Sequence, residues 1–77
     1  MDLKLVFGVL EAGLQLWASK EKTKYQDKYI QLKRDFYEEY NKDFSIRNDA
    51  ILDSIRSELF ILCDSFATAV KAENTKN

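Results

Sequence analysis

Apolar positions recur along this chain with two different periods. In the second half, Leu52, Ile55, Leu59, Leu62, Phe66 and Ala69 step by three and four residues. That is a heptad stripe on one face of an α-helix. Ile51, Cys63 and Val70 widen the stripe, while Asp49, Asp53, Arg56, Ser57 and Asp64 fall outside it. Asp43, Ser45 and Asn48 are N-cap residues ahead of it, and Asp49 and Lys71 suit the two ends of the helix dipole. The pattern predicts a helix over about residues 46–72, followed by a polar, frayed tail over 73–77.

The first half repeats every eleven residues. One row is Leu3, Leu14, Tyr25, Phe36; its neighbour is Phe7, Ala18, Tyr29, Tyr40. Leu10 and Leu32 fill between them. Eleven residues over three turns describe a nearly straight helix. The favoured reading is one helix over about residues 2–41, joined to the second by a short loop at 42–45. The fold class is then all-α: an antiparallel helical hairpin forming a single domain over 1–77. The alternative is a three-helix bundle with a break near 19–24, because "SKEKTK" is wholly polar and Thr23 and Gln26 are spaced like a capping box. No glycine or proline marks that break.

Unequal helix lengths have a consequence. At 1.5 Å per residue the first helix runs roughly 60 Å and the second roughly 40 Å. A hairpin of that form leaves residues 1–15 as an apolar overhang with nothing of its own to pack on. On a helical wheel Leu3, Val6, Phe7, Leu10, Leu14 and Trp17 form its main face, and Leu5, Val9 and Leu16 a second flank. Lys4, Glu11 and Gln15 mark a narrow wet edge. A helix apolar most of the way round is normally surrounded. Phe60 and Ile61 likewise lie outside the heptad stripe of the second helix. The expected partner-binding residues are therefore Leu3, Val6, Phe7, Leu10, Leu14 and Trp17, with Phe60 and Ile61 secondary. The expected partner is the chain itself, as a homo-oligomer, or a larger protein assembly.

Composition narrows the chemistry. The 77 residues carry 12 basic and 13 acidic side chains, no histidine, no proline and one cysteine. Without histidine the commonest metal ligand and general base is missing. Cys63 has no partner for an internal disulfide and no neighbouring base, so it is expected to be a small buried hydrophobe in a reducing compartment. Ser19 and Lys22 match an S-x-x-K spacing, but the partner motifs of that chemistry are missing. Asn41, Asp43, Ser45, Arg47 and Asp49 alternate like calcium ligands, yet Ile46 and Leu52 occupy the required glycine and glutamate places. Asp35, Glu38 and Glu39 are expected to be a solvated acidic patch. No catalytic residue, metal site or cofactor is expected.

The basic run Lys20, Lys22, Lys24, Lys28, Lys33, Arg34 is interrupted by Glu21, Asp27 and Asp35, so nucleic acid is not favoured. Glu11 splits the leading apolar run, which speaks against a cleavable signal peptide and a membrane span. Residues 1–18 inserting into a bilayer interface, with Trp17 as an anchor, is the alternative to a protein partner. A cytoplasmic or virion-associated location is expected.

The middle segment "KYQDKYIQLKRDFYEEYNK" (residues 24–42) and the second helix "NDAILDSIRSELFILCDSFA" (residues 48–67) resemble small helical proteins encoded in tailed-phage genomes. The resemblance implies a structural, virion-assembly or lysis-cassette component, antiholin-like in the last case. It transfers no active-site residues.

Overall fold

A computed structural model describes residues 3–75. The expected helix start at residue 2, the first two residues of the expected overhang and the end of the expected tail (76 and 77) lie outside the described residues. Among the described residues the chain is all-helical, with three helices and no strand: α1 (Leu3–Leu16), α2 (Lys22–Tyr40) and α3 (Asp49–Thr75).

The single helix expected over 2–41 is thus interrupted. Residues 17–21 leave the helix, beginning two residues before the break near 19–24 that the polar run suggests and overlapping it. Lys4 Nζ lies 4.6 Å from the centre of the Tyr40 ring, and Lys33 reaches Glu11 at 3.9 Å, so α1 folds back antiparallel to α2. α3 also runs antiparallel to α2, with Lys28 of α2 and Glu58 of α3 3.5 Å apart.

Burial explains why the chain turns. An unbroken helix would leave Phe7, Leu10 and Leu14 in water. Folded back, all three are buried in one core with Tyr29, Leu32, Phe36, Ile55, Leu59 and Leu62. Burying three large apolar side chains stabilises by about 5–9 kcal/mol. Ending a helix frees about four backbone carbonyls, each worth roughly 0.5–1.5 kcal/mol when bonded. Burial exceeds that cost, and part of the cost is recovered. The Trp17 N–H donates to the Leu14 carbonyl at 3.3 Å, and Lys22 Nζ donates to the Gln15 carbonyl at 3.3 Å.

The core is aromatic at both ends of α1. Phe7 packs on Tyr29 and Phe36, with ring centres 6.0 and 5.4 Å apart. Trp17 stands edge-on to Tyr25 and Phe66, at 5.5 and 5.1 Å. Edge-to-face and tilted pairs at these separations suit the ring quadrupoles. Gly13 lets α1 and α3 approach: a Cβ there would lie 3.0 Å from Phe66 Cε2.

α3 begins where Asn48 caps it. The Asn48 side-chain oxygen accepts from the Ala50 N–H at 3.0 Å, as an N-cap should. Its heptad stripe packs as the sequence pattern predicts, with Ile55, Leu59 and Leu62 buried and Leu52, Phe66 and Ala69 half-buried. The expected frayed tail is corrected over 73–75, which continue the helix because Glu73 is tied to the α1–α2 turn.

Candidate interaction surface

The structure divides the expected partner residues into three groups. Phe7, Leu10, Leu14 and Trp17 are buried in the chain's own core, and Leu3 and Val6 pack half-buried against it. The overhang reading of residues 1–15 is therefore corrected: α2 and α3 cover the main face of α1, because the break at 17–21 returns it to them. Phe60 and Ile61 are exposed. They lie about 100° apart on the α3 wheel and serve different surfaces. Ile61 flanks a hollow between α2 and α3 with Lys24, Tyr25 and Lys28. On the same wheel Phe60 falls beside Cys63 and Ala67, which line the hollows that α1 borders.

What α1 leaves uncovered is its second flank. Leu5 is 66% exposed, Val9 67% and Leu16 87%. With exposed Ala12 they step by four, three and four residues, a second heptad seam that faces outward. Across from it, Phe60, Cys63, Ala67 and Val70 of α3 step by three, four and three. Between the seams runs an apolar groove. One hollow of about 430 Å³ is bounded by Leu5, Val6, Val9, Leu10, Cys63 and Phe66. A second of about 640 Å³ adjoins it over Gly13 and Phe66 and extends past Leu16 and Val70 to Lys71 and Asn74. Heptad spacing on both walls is what a further α-helix needs for knobs-into-holes packing.

Two carboxylates hold the scaffold around this groove. Glu73, near the end of α3, accepts from Trp17 Nε1 at 2.7 Å and from Ser19 Oγ at 2.5 Å. Ser19 Oγ in turn accepts from the Glu21 N–H at 3.2 Å. One carboxylate therefore clasps both sides of the α1–α2 turn. At the opposite end, Glu39 accepts from the Asn48 N–H at 2.9 Å and from Lys42 Nζ at 3.0 Å. These bonds, the Asn48 N–H first, hold its carboxyl below the ordinary range. Glu39 is buried, so the expected solvated acidic patch is corrected at this position; Glu38 is exposed and Asp35 half-buried beside Arg34.

The candidate chemical groups are otherwise occupied. Ser19 and Lys22 bond to Glu73 and Gln15, not to each other. Cys63 is half-buried, and burial, followed by Asp64, pushes its thiol pKa up, opposite to what a thiolate nucleophile requires. Burial likewise raises the Tyr29 phenol, whose oxygen sits in the core without a well-formed hydrogen bond, near Lys33 and Glu11. Lys28, Lys33 and Arg34 face Glu58, Glu11 and Asp35, so the basic run is divided among local ion pairs. Among the described residues no helix is long and apolar enough to cross a membrane. No family model, curated protein or solved structure matches the chain.

Proposed function

We propose that this protein is a non-enzymatic helical interaction module, a three-helix bundle whose α1/α3 groove receives an α-helix from a second copy or from a larger assembly. The observation that carries the reading is the outward heptad seam of Leu5, Val9, Ala12 and Leu16. The resemblance to small phage-encoded helical proteins supports an assembly role, with a virion as one such assembly.

Magnitudes support a reversible contact. Completing the burial of Leu5, Val9, Leu16 and Phe60 is worth about 4–8 kcal/mol on one side of an interface. A matching surface on the partner doubles this. Association costs about 4–15 kcal/mol in lost freedom. The surplus is small, which suits weak self-association strengthened by repetition in a larger assembly.

Light scattering on the full chain over a concentration series, with and without anionic vesicles, tests the proposal. The expected result is a mass that rises with concentration, and an increase abolished by Val9→Glu, which leaves the helical circular dichroism unchanged. A mass fixed at one chain at the highest concentrations would overturn the second copy as the docked partner, and vesicle binding that Val9→Glu removes would overturn a docked helix in favour of a lipid surface.

A further inference from the structure

We propose that α1 is exchangeable between copies: when the Glu73 clasp opens, residues 17–21 close into helix, α1 and α2 become one long helix, and α1 seats on the α2/α3 face of a second chain. This inference does not depend on the groove between α1 and α3. It concerns the face that α1 already covers.

The turn is built from residues that suit a helix. Ala18, Lys20 and Glu21 are good helix formers, and none of residues 17–21 is glycine or proline. Glu21 already has right-handed helical φ and ψ of −89° and −2°. No described residue has a positive φ. The eleven-residue rows also run through the turn without a change of phase, so a straight helix over the same residues presents one continuous stripe.

The contacts of α1 with α2 have the symmetry an exchange requires. Lys4 lies over Tyr40, and Glu11 faces Lys33. Both pairs are centred on residue 22. Two long helices crossing antiparallel, with Lys22 at their two-fold axis, reproduce both contacts between chains instead of within one. Every core partner of Phe7, Leu10 and Leu14 is then supplied by the second copy, since its sequence is the same. The exchanged form also regains the backbone bonds lost at the turn.

Two features hold the closed form. Glu73 bonds Trp17 and Ser19 across sequence separations of 56 and 54 residues, and both partners lie in the turn that must close into helix. Lys20, Lys22 and Lys24 of both chains would also crowd the two-fold axis, a repulsion that salt weakens. Short turns of this kind favour domain exchange when their restraint is removed.

The test uses spin labels at Gly8→Cys and Glu38→Cys in a Cys63→Ala background, diluted in excess unlabelled chain so that only distances within one chain are read. A Cβ at Gly8 meets nothing within 4 Å, so that label is tolerated. The closed chain gives a distance of about 20 Å or less, from helices packed side by side. The exchanged chain gives about 45 Å, from 30 residues of continuous helix. Glu73→Ala, and separately Trp17→Phe with Ser19→Ala, are expected to raise the dimer fraction about tenfold or more, which is the worth of a lost charge-assisted hydrogen bond. The long distance should appear with that rise. Two glycines inserted after Ala18 in the Glu73→Ala chain should restore the monomer. Monomers that keep the short distance in both clasp variants would overturn the proposal. So would dimers that keep it; these would be side-by-side assemblies, and Val9→Glu would dissolve them.

Discussion

Replacing Leu14 by alanine separates a docked α1 from a free one. Leu14 is 2% exposed and belongs to the central core cluster. Truncating such a leucine removes its transfer energy and leaves a cavity, at a cost of about 2–5 kcal/mol. Leu16 lies two residues away on the same helix and is 87% exposed. Its truncation should stay within about 0.5 kcal/mol. A domain of this size shifts its Tm by roughly 4–8 °C per kcal/mol, so Leu14→Ala should lower Tm by at least about 8 °C and Leu16→Ala by a few degrees at most. The assay is urea and thermal unfolding followed by circular dichroism, at a concentration where the chain is monomeric. The urea m-value adds a second reading, because it scales with the surface exposed on unfolding. If α1 folds with the rest, deleting residues 1–15 lowers m as well as stability. Equal and small effects of the two alanines, with m unchanged by the deletion, would refute the docking of α1 and restore the free overhang.

Three further outcomes follow from the geometry. Gly8→Ala should gain about 0.5–1 kcal/mol from helix propensity, since its Cβ enters open space, whereas Gly13→Ala should gain less, because its Cβ lies 3.0 Å from Phe66 Cε2; Trp17 fluorescence should shift only in the second variant. Glu39 titrates below the ordinary range, so its contribution is present above an unfolded pKa of about 4.3 and is lost as pH falls through the lower folded value. Urea midpoints should therefore fall on acidification below that pH, and less steeply in Glu39→Gln. Tyr29 titrates above its ordinary value, so its contribution holds below about pH 10 and fades as pH rises toward the folded value. The alkaline loss of stability should be smaller in Tyr29→Phe.

Much of this architecture is legible in the residue pattern. The heptad stripe of α3 follows directly from spacing; of the three cap residues the pattern offers, Asn48 is the one that caps, so the helix starts at Asp49 rather than near 46. The eleven-residue rows likewise place Phe7, Leu14, Tyr29 and Phe36 on the apolar face, and all four are buried. The favoured straight helix misses the turn at 17–21, which the alternative break near 19–24 overlaps, and the reason is physical. Helix ends are marked by glycine, proline and local caps, and this turn has neither glycine nor proline. The polar run at 19–24 is its one local mark; it is held by Glu73, more than fifty residues away, and by core burial. An overhang follows only from a straight first helix, and the chain turns at 17–21. Leu5, Val9 and Leu16 were visible as a second apolar flank, yet their heptad register through Ala12 gains meaning only when α2 and α3 occupy the other face. The burial of Glu39 is hidden from the local pattern in the same way, since its partner is a backbone N–H nine residues on.

The central claim is that the outward seam of α1 and the facing flank of α3 form a docking surface for a helix. A dilution series of amide ¹H–¹⁵N spectra tests it most directly. The account predicts concentration-dependent shifts concentrated at Leu5, Val9, Ala12 and Leu16 and at Phe60, Cys63, Ala67 and Val70, with Ile30 and Ile46 unmoved although both are exposed. Shifts centred on Ile30 or on Phe44 and Ile46, with the α1 and α3 flanks invariant, would contradict it.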